Sequence, residues 1–423
     1  MNENRETTGT RQWFLPGALI WSTIVLGIVE WSVGSGLAFR PFLELADPCV
    51  GPAGFGALVT HAILCPSDRR KTVVLRLGVA LEVLRFVVLA MSGVSIEVLA
   101  FSVGYGFLAA ALADFVLHRE WRSMALAALV PIGMASAPLG LAGIVRRATP
   151  LTLDGALYAL DATLGIPFSR VMGEIVQRVA ALRAMTLIAY ASLPGAIAAG
   201  LAYEEYTYRK GIVRGVGVNL LLAYTISGSV AALLYILCPG TGPSHAFIAG
   251  FPSHLPNPAD VPLSFAALAP TSPRNAMPSL HFAWAVLLYR STAGVRSSIR
   301  RTAFAFVIMT FVATIGSGEH FVFDLIADAP FIVALEAATA HGVIPLRRRV
   351  WPILSGVVLY AGWMIAIRNA PASIPFLSRH PALTWLLVII TIAIPSIFAL
   401  PAVAQKWRRE PVGQAAIPAG ATS

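Results

Sequence analysis

The stretch "TAFAFVIMTFVATIGSGEHFVFDLIADAPFIVALEAATAHGV" (302–343) holds two apolar runs joined by a short small-residue turn, Gly316-Ser317-Gly318, that leads into His320. Each run is close to the roughly 20 residues that a helix needs to cross a bilayer. Strand alternation is absent, and the runs are too long for buried strands. The same pattern recurs through the chain. Of its 423 residues 57% are hydrophobic and only 12% are charged, about half the charge of a soluble domain. Apolar spans are expected near 14–38, 73–92, 95–117, 123–144, 184–203, 215–237, 277–293, 302–319, 321–343, 350–368 and 383–404, with a weaker run at 54–66. The expected fold class is therefore all-α, a polytopic membrane helix bundle of about 10–12 transmembrane helices.

The formal net charge of +10 does not point to nucleic acid. Its arginines and lysines cluster in short loops, at 69–71, 209–210, 296–301, 347–349 and 406–409, which is the positive-inside pattern. Loops 204–214, 290–301 and 344–349 are expected on the cytoplasmic side, and 238–276 and 316–320 on the opposite face. The run at 14–38 is too long for the core of a signal peptide and reads as an uncleaved anchor in a cell-membrane protein. With three cysteines, no disulfide framework or metal-ligand spacing is visible. Residues 149–183 carry leucines at helical spacing with charges between, and read as an amphipathic helix at the interface. That segment divides the chain. An N-terminal block (1–144) of unknown role precedes a core at 145–345, and two further spans at 346–404 and a polar tail at 405–423 follow.

Two of the eight histidines stand out by their company. His61, His118, His245, His254, His341 and His380 read as interfacial or satisfied. Asp324 follows His320 by one helical turn, so both fall on one face. A carboxylate beside an imidazole fixes its tautomer and raises its basicity. The second, His281, lies in "RNAMPSLHFAW" (274–284). Pro278 suits the first position of a helix, and His281 then falls in its first turn. Free N–H groups there, with Ser279, can hold an anion, and Arg274 can add a charged fork to a phosphate. Upstream, "CPGTGPSHAF" (238–247) is a Gly- and Pro-rich loop on the same face. Two imidazoles, a carboxylate, an anion nest and an arginine describe phosphoryl transfer better than a metal centre.

"MPSLHFAW", followed about forty residues later by "GEHFVFDLIAD", resembles the second and third motifs of the type 2 phosphatidic acid phosphatase superfamily. It is closest to the branch of inositol phosphorylceramide synthase and sphingomyelin synthase-like transferases, to which "TLDGALYALDATLG" and "CPGTGPSHAF" are also similar. The resemblance spans roughly 149–343 and implies a six-helix-type lipid phosphatase core. It also implies His320 as a nucleophile that becomes phosphohistidine, Asp324 as its orienting group and His281 as the acid for the leaving oxygen. The substrate would be a membrane lipid phosphate or phospholipid, with no cofactor and no metal. Two positions depart from the pattern. Thr314 stands where these phosphatases usually carry Arg, and Asp328 where they often carry Gly. No Lys- and Arg-containing first motif is visible. Hydrolysis and transfer to an acceptor remain open, as do a non-catalytic member of the superfamily and a proton-coupled transporter. A metalloprotease lacks its His-Glu-x-x-His pattern.

Overall fold

A computed structural model describes residues 50–94, 103–129, 145–210, 220–269, 272–293, 295–340 and 345–404. The apolar run at 14–38, most of the run at 123–144 and the tail at 405–423 lie outside the described residues. The described chain is helical, with one isolated antiparallel bridge between Thr152 and Ala266. Its main helices are α1 (Val50–Leu64), α2 (Asp68–Met91), α3 (Tyr105–Leu117), α4 (Asp154–Ala162), α5 (Phe168–Arg178), α6 (Ala180–Ala191) and α7 (Leu193–Arg209). After these come α8 (Leu220–Leu237), α9 (Leu280–Ser291), α10 (Ser297–Gly316), α11 (Val322–Thr339), α12 (Leu346–Arg368), α13 (Ala370–Arg379) and α14 (Pro381–Ala404).

Among the described residues α8, α10 and α12 are each long and apolar enough to cross a membrane, and two bent pairs, α6–α7 and α13–α14, extend this to five. The chain is a multi-pass helical membrane bundle. Large apolar side chains such as Val83, Leu84, Val87 and Val88 on α2 and Val357, Val358 and Ile365 on α12 face outward, as lipid-facing positions do.

Two expected spans differ from what forms. The run at 277–293 becomes α9, only 12 residues long, about 18 Å and too short to cross. The run at 321–343 becomes α11, whose 18 residues are interrupted by Asp324, Asp328 and Glu336, all buried. Both helices are enclosed by neighbours, and their polar side chains are held by protein.

Residues 149–183 do not form one interfacial helix. Gly165, at φ +75°, and Pro167 break the segment. Its first half, α4, is buried, with Asp154, Leu157, Leu160 and Asp161 at most 4% exposed. Its second half, α5, is amphipathic in a different phase from the one expected. Gly173 and Val176 face inward, while Ile175 and Val179 are exposed. The inward face is chosen by close approach: a Cβ on Gly173 would meet Pro252 and Phe251, and one on Gly316 would meet Val176.

One large apolar core joins α4, α7, α8, α9, α10, α11 and the C-terminal helices. The last spans share that core: a Cβ on Gly356 of α12 would sit 2.4 Å from the Pro330 carbonyl of α11, and Trp363 meets Phe323 edge to face. A second, smaller core unites α1, α2 and α3 around Ala57, Val74, Ala110 and Phe115. α1 then lies along α7.

Candidate active site

Three loops converge where α8, α10 and the loop before α9 end. The Gly240 carbonyl accepts the Ala276 N–H at 2.9 Å, and the Gly318 carbonyl accepts both the N–H and the hydroxyl of Ser244, each at 2.9 Å. Two glycines make this approach possible. Gly242 has φ +92°, and a Cβ there would lie 2.2 Å from the Glu319 carbonyl; Gly318 has φ +73° and is closed in by Phe251 and Ser244. Both positions suit only a residue without a side chain.

Two aspartates on α4 brace these loops. Asp154 Oδ1 accepts the Thr241 N–H at 2.7 Å and the Gly242 N–H at 3.1 Å, while its Oδ2 accepts the Thr241 hydroxyl at 3.0 Å. Asp161, two turns on, accepts the N–H groups of Val322 at 2.8 Å and Phe323 at 2.9 Å. Asp324 Oδ2 takes the Phe321 N–H at 2.8 Å. The start of α11 is thus capped by two carboxylates, one from its own first turn and one from another helix. These bonds work against burial, which still pushes the Asp161 carboxyl up to about 7.

His320, at the head of α11, is buried, and its Nδ1 lies 2.8 Å from the Ala276 carbonyl. A carbonyl oxygen can only accept, so Nδ1 carries a proton, and in the neutral ring the lone pair is then on Nε2. Asp324 Oδ2 is 3.6 Å from the same Nδ1, beyond hydrogen-bond length. The expected orienting carboxylate is therefore adjacent, but the bond that fixes the tautomer comes from the backbone of the loop before α9.

That loop carries the remaining expected residues. Pro278 lies one residue outside the helix rather than at its first position; Ser279 is the N-cap, and His281 falls in the first turn. Ser279 donates its N–H to Asp328 Oδ1 at 3.1 Å, and Tyr235 donates its hydroxyl to the Pro278 carbonyl at 3.0 Å. The Ser279 hydroxyl, Asp324 Oδ1 and Asp328 Oδ2 are buried without a protein partner. Asp328, a departure from the resembled pattern, thus anchors the start of α9. His281 is half-buried and stacks on Tyr190 of α6, with centroids 3.9 Å apart and planes 11° from parallel.

Arg274 does not present an open fork. It is fully buried, and its guanidinium donates to the carbonyls of Thr149, Pro150, Ala269 and Ser272. It ties the loop before α9 to the segment before α4. The expected phosphate contact is therefore replaced by a bracing role.

Glu319 and His245 form an ion pair at 3.2 Å on the rim, each about one-third exposed. The hydrogen bond from Glu319 raises His245 above its ordinary value, against burial. Burial works to raise Glu319, but the His245 hydrogen bond and the charges of His245, His320 and His281 hold it below the usual carboxylate range. All three histidines thus lie within electrostatic reach of one carboxylate. Sequence reading assigned no role to Asp154, Asp161, Tyr190 or the Glu319–His245 pair. The seven-residue spacing of the two α4 aspartates was the available signal, since it places both on one helical face.

Residues 155–338 match the family model of the PAP2 superfamily. The matched region runs from α4 through α11. No curated protein and no solved structure matches the chain.

Proposed function

We propose that the chain is a membrane lipid phosphatase or phosphotransferase that breaks a phosphoester through a phosphohistidine on His320. The observation that carries this reading is the bond from His320 Nδ1 to the Ala276 carbonyl. It sets the tautomer of the neutral ring with the lone pair on Nε2, which is the form an imidazole needs to attack phosphorus. The match of residues 155–338 supports the same chemistry.

In the first step Nε2 attacks phosphorus and the bond to the leaving oxygen breaks. His281 gives that oxygen its proton; burial and the nearby His320 hold its ring below the ordinary histidine value, so it is charged only with the anionic phosphate bound beside it. In the second step neutral His281 takes a proton from water or from an acceptor hydroxyl. The resulting oxygen attacks phosphorus, and the P–N bond breaks to restore His320. Water gives hydrolysis; a lipid hydroxyl gives transfer. Asp324 stabilises the charge that builds on the His320 ring. The start of α11 is closed by Asp161 and Asp324, and Asp328 takes the Ser279 N–H at the start of α9, so the N–H groups that follow Ser279 and its hydroxyl are what is left to receive phosphate oxygens. Arg274 acts indirectly by holding that loop. The basic loops at 290–301 and 344–349 support an extracytoplasmic site.

The test is purified protein in lipid–detergent micelles, offered a panel of phospholipids and lipid phosphates, with released phosphate and new lipids both measured. Turnover with 32P trapped on the chain at neutral to alkaline pH, and its loss in His320→Ala, is expected. A chain that turns over none of the panel and traps no label would overturn the proposal. Reporters fused at 255–260 and 295–298 test the face; a cytoplasmic signal at 255–260 would reverse it.

A further inference from the structure

A second constellation lies far from His320, where the N-terminal helices meet. His61 and Cys65 are one turn apart near the end of α1, on one face, and both are buried at 1% and 2% exposure. Asp114 of α3 faces them. The His61 ring nitrogen Nε2 is 2.8 Å from Asp114 Oδ2. An imidazole nitrogen, the Cys65 sulfur and an Asp114 oxygen all lie within 4.8 Å of one another.

We propose that His61, Cys65 and Asp114 hold a divalent transition metal of the zinc class. The site does not depend on the phosphotransfer reading. Mixed nitrogen, sulfur and oxygen donors are the set that zinc takes, at about 2.0–2.3 Å. Such bonds in a tetrahedron place donors about 3.3–3.6 Å apart, so closing on an ion needs small side-chain shifts within the observed spread. Hard cations such as magnesium would not choose a thiol.

The surroundings resemble the outer shell of a metal site. Arg70 grips Asp114 with Nη2 at 2.6 Å and Nε at 3.1 Å, and reaches Glu120 Oε1 at 2.8 Å. Both contacts fall on Oδ2, the oxygen that also meets His61, and hold it toward α1. His118 lies 3.4 Å from Asp114 Oδ1 and is 44% exposed, which leaves an edge from which an ion can enter. A salt bridge alone accounts for Arg70, Asp114 and Glu120. It does not account for a buried thiol set beside that carboxylate and imidazole, where its own hydrogen bond goes to the Ser67 carbonyl at 3.6 Å. Charge also balances: an ion of +2 and Arg70 are offset by Asp114, Glu120 and a Cys65 thiolate. On binding, His61 keeps its single proton on Nδ1 and presents Nε2 to the ion, while the thiol proton leaves to water, so affinity rises with pH.

The test uses the full chain, purified in detergent without chelator, supplied with zinc, freed of excess and assayed for bound metal. About one zinc per chain is expected. Cobalt(II) in its place should give a thiolate-to-cobalt charge-transfer band in the near ultraviolet, absent in Cys65→Ser. Arg70→Gln keeps all three donors but loosens the outer shell, and should weaken binding about 10–100-fold. A monodisperse wild-type chain with no stoichiometric metal and no cobalt band overturns the site, whatever the variants do. A band that persists in Cys65→Ser also overturns it.

Discussion

The two ends of α7 are held by opposite kinds of electrostatics. Near its start, beside Tyr190 and His281, carboxylates accept backbone N–H groups: Asp154 holds the 241–242 loop, Asp161 and Asp324 the head of α11, and Asp328 the head of α9. At its other end, about 25 Å away along 17 residues, carboxylates meet arginines. A continuous chain of contacts runs from His61 through Asp114, Arg70, Glu120, Ser123 and Arg209 to Glu205 and Arg122. The difference follows from what each end must hold. A carboxylate on an N–H fixes a loop at one short distance, as the proposed reaction needs. Long arginine side chains tolerate looser geometry and clasp one helical block to another.

This contrast can be broken at several points. The largest effect belongs to His320→Ala, which should reduce lipid-phosphate turnover to background while leaving the thermal midpoint near that of the native chain. His281→Ala should lose most with a lipid alkoxide leaving group and be partly rescued by an aryl phosphate, whose leaving oxygen needs no proton. Equal loss on both substrates would deny His281 its acid role.

Next comes Arg70→Met at the clasp. It leaves Asp114 and Glu120, both mostly buried, without their cation. A stability loss of about 2–4 kcal/mol is expected, toward the value for a broken buried pair, and turnover by the folded fraction should change less than twofold. Denaturant unfolding in mixed micelles reads the first, and initial rates per folded chain the second. A rate loss exceeding the stability loss would show that the two ends communicate.

Asp161→Asn should act in the reverse sense. One of its two N–H bonds is replaced by an amide facing an N–H, so a loss of about 1–3 kcal/mol is expected. Turnover should fall by more than stability, since the head of α11 carries His320. An unchanged rate per folded chain would reduce Asp161 to a stability element.

The smallest effect is on the rim. His245 is raised, so its pairing with Glu319 contributes fully below the ordinary histidine value of 6.5 and fades as pH climbs through its own higher value. Glu319 is lowered, so its contribution is present above 4.5 and is lost as pH falls through its own lower value. His245→Gln should therefore cost the most between pH 4.5 and 6.5 and little at pH 9. Midpoints measured across that range in both chains check it; a pH-independent difference would mean the pair acts by packing alone.

Much of this architecture is written in local pattern. Apolar length alone required a helical bundle, since a bilayer leaves backbone groups no other partner. The small turn at 316–318 and the one-turn spacing of His320 and Asp324 needed nothing beyond helical period. The break at Gly165 and Pro167 was missed, since 149–183 read as one interfacial helix; in the folded chain it sends α4 into the core and leaves α5 with Gly173 and Val176 facing inward. Pattern gives each helix a face, but which face turns inward depends on where a neighbour comes closest. For the same reason Arg274 read as a charged fork for a phosphate. Its position before a helix was visible, but the four carbonyls that enclose it come from segments as far away as Thr149 and Pro150. The partner of His320 Nδ1 could not be read at all, because a backbone carbonyl carries no residue identity. His61 and Cys65 were one turn apart on paper, while Asp114 reached them only through the packing of α3 on α1. The sequence by itself determined the helical class and the membrane setting, and it put His320 and Asp324 one turn apart, because those follow from side-chain polarity and helical period. The tertiary structure alone decided which carboxylate caps which helix and which nitrogen of His320 meets the Ala276 carbonyl, because those contacts are made between residues that the chain keeps tens to more than a hundred positions apart.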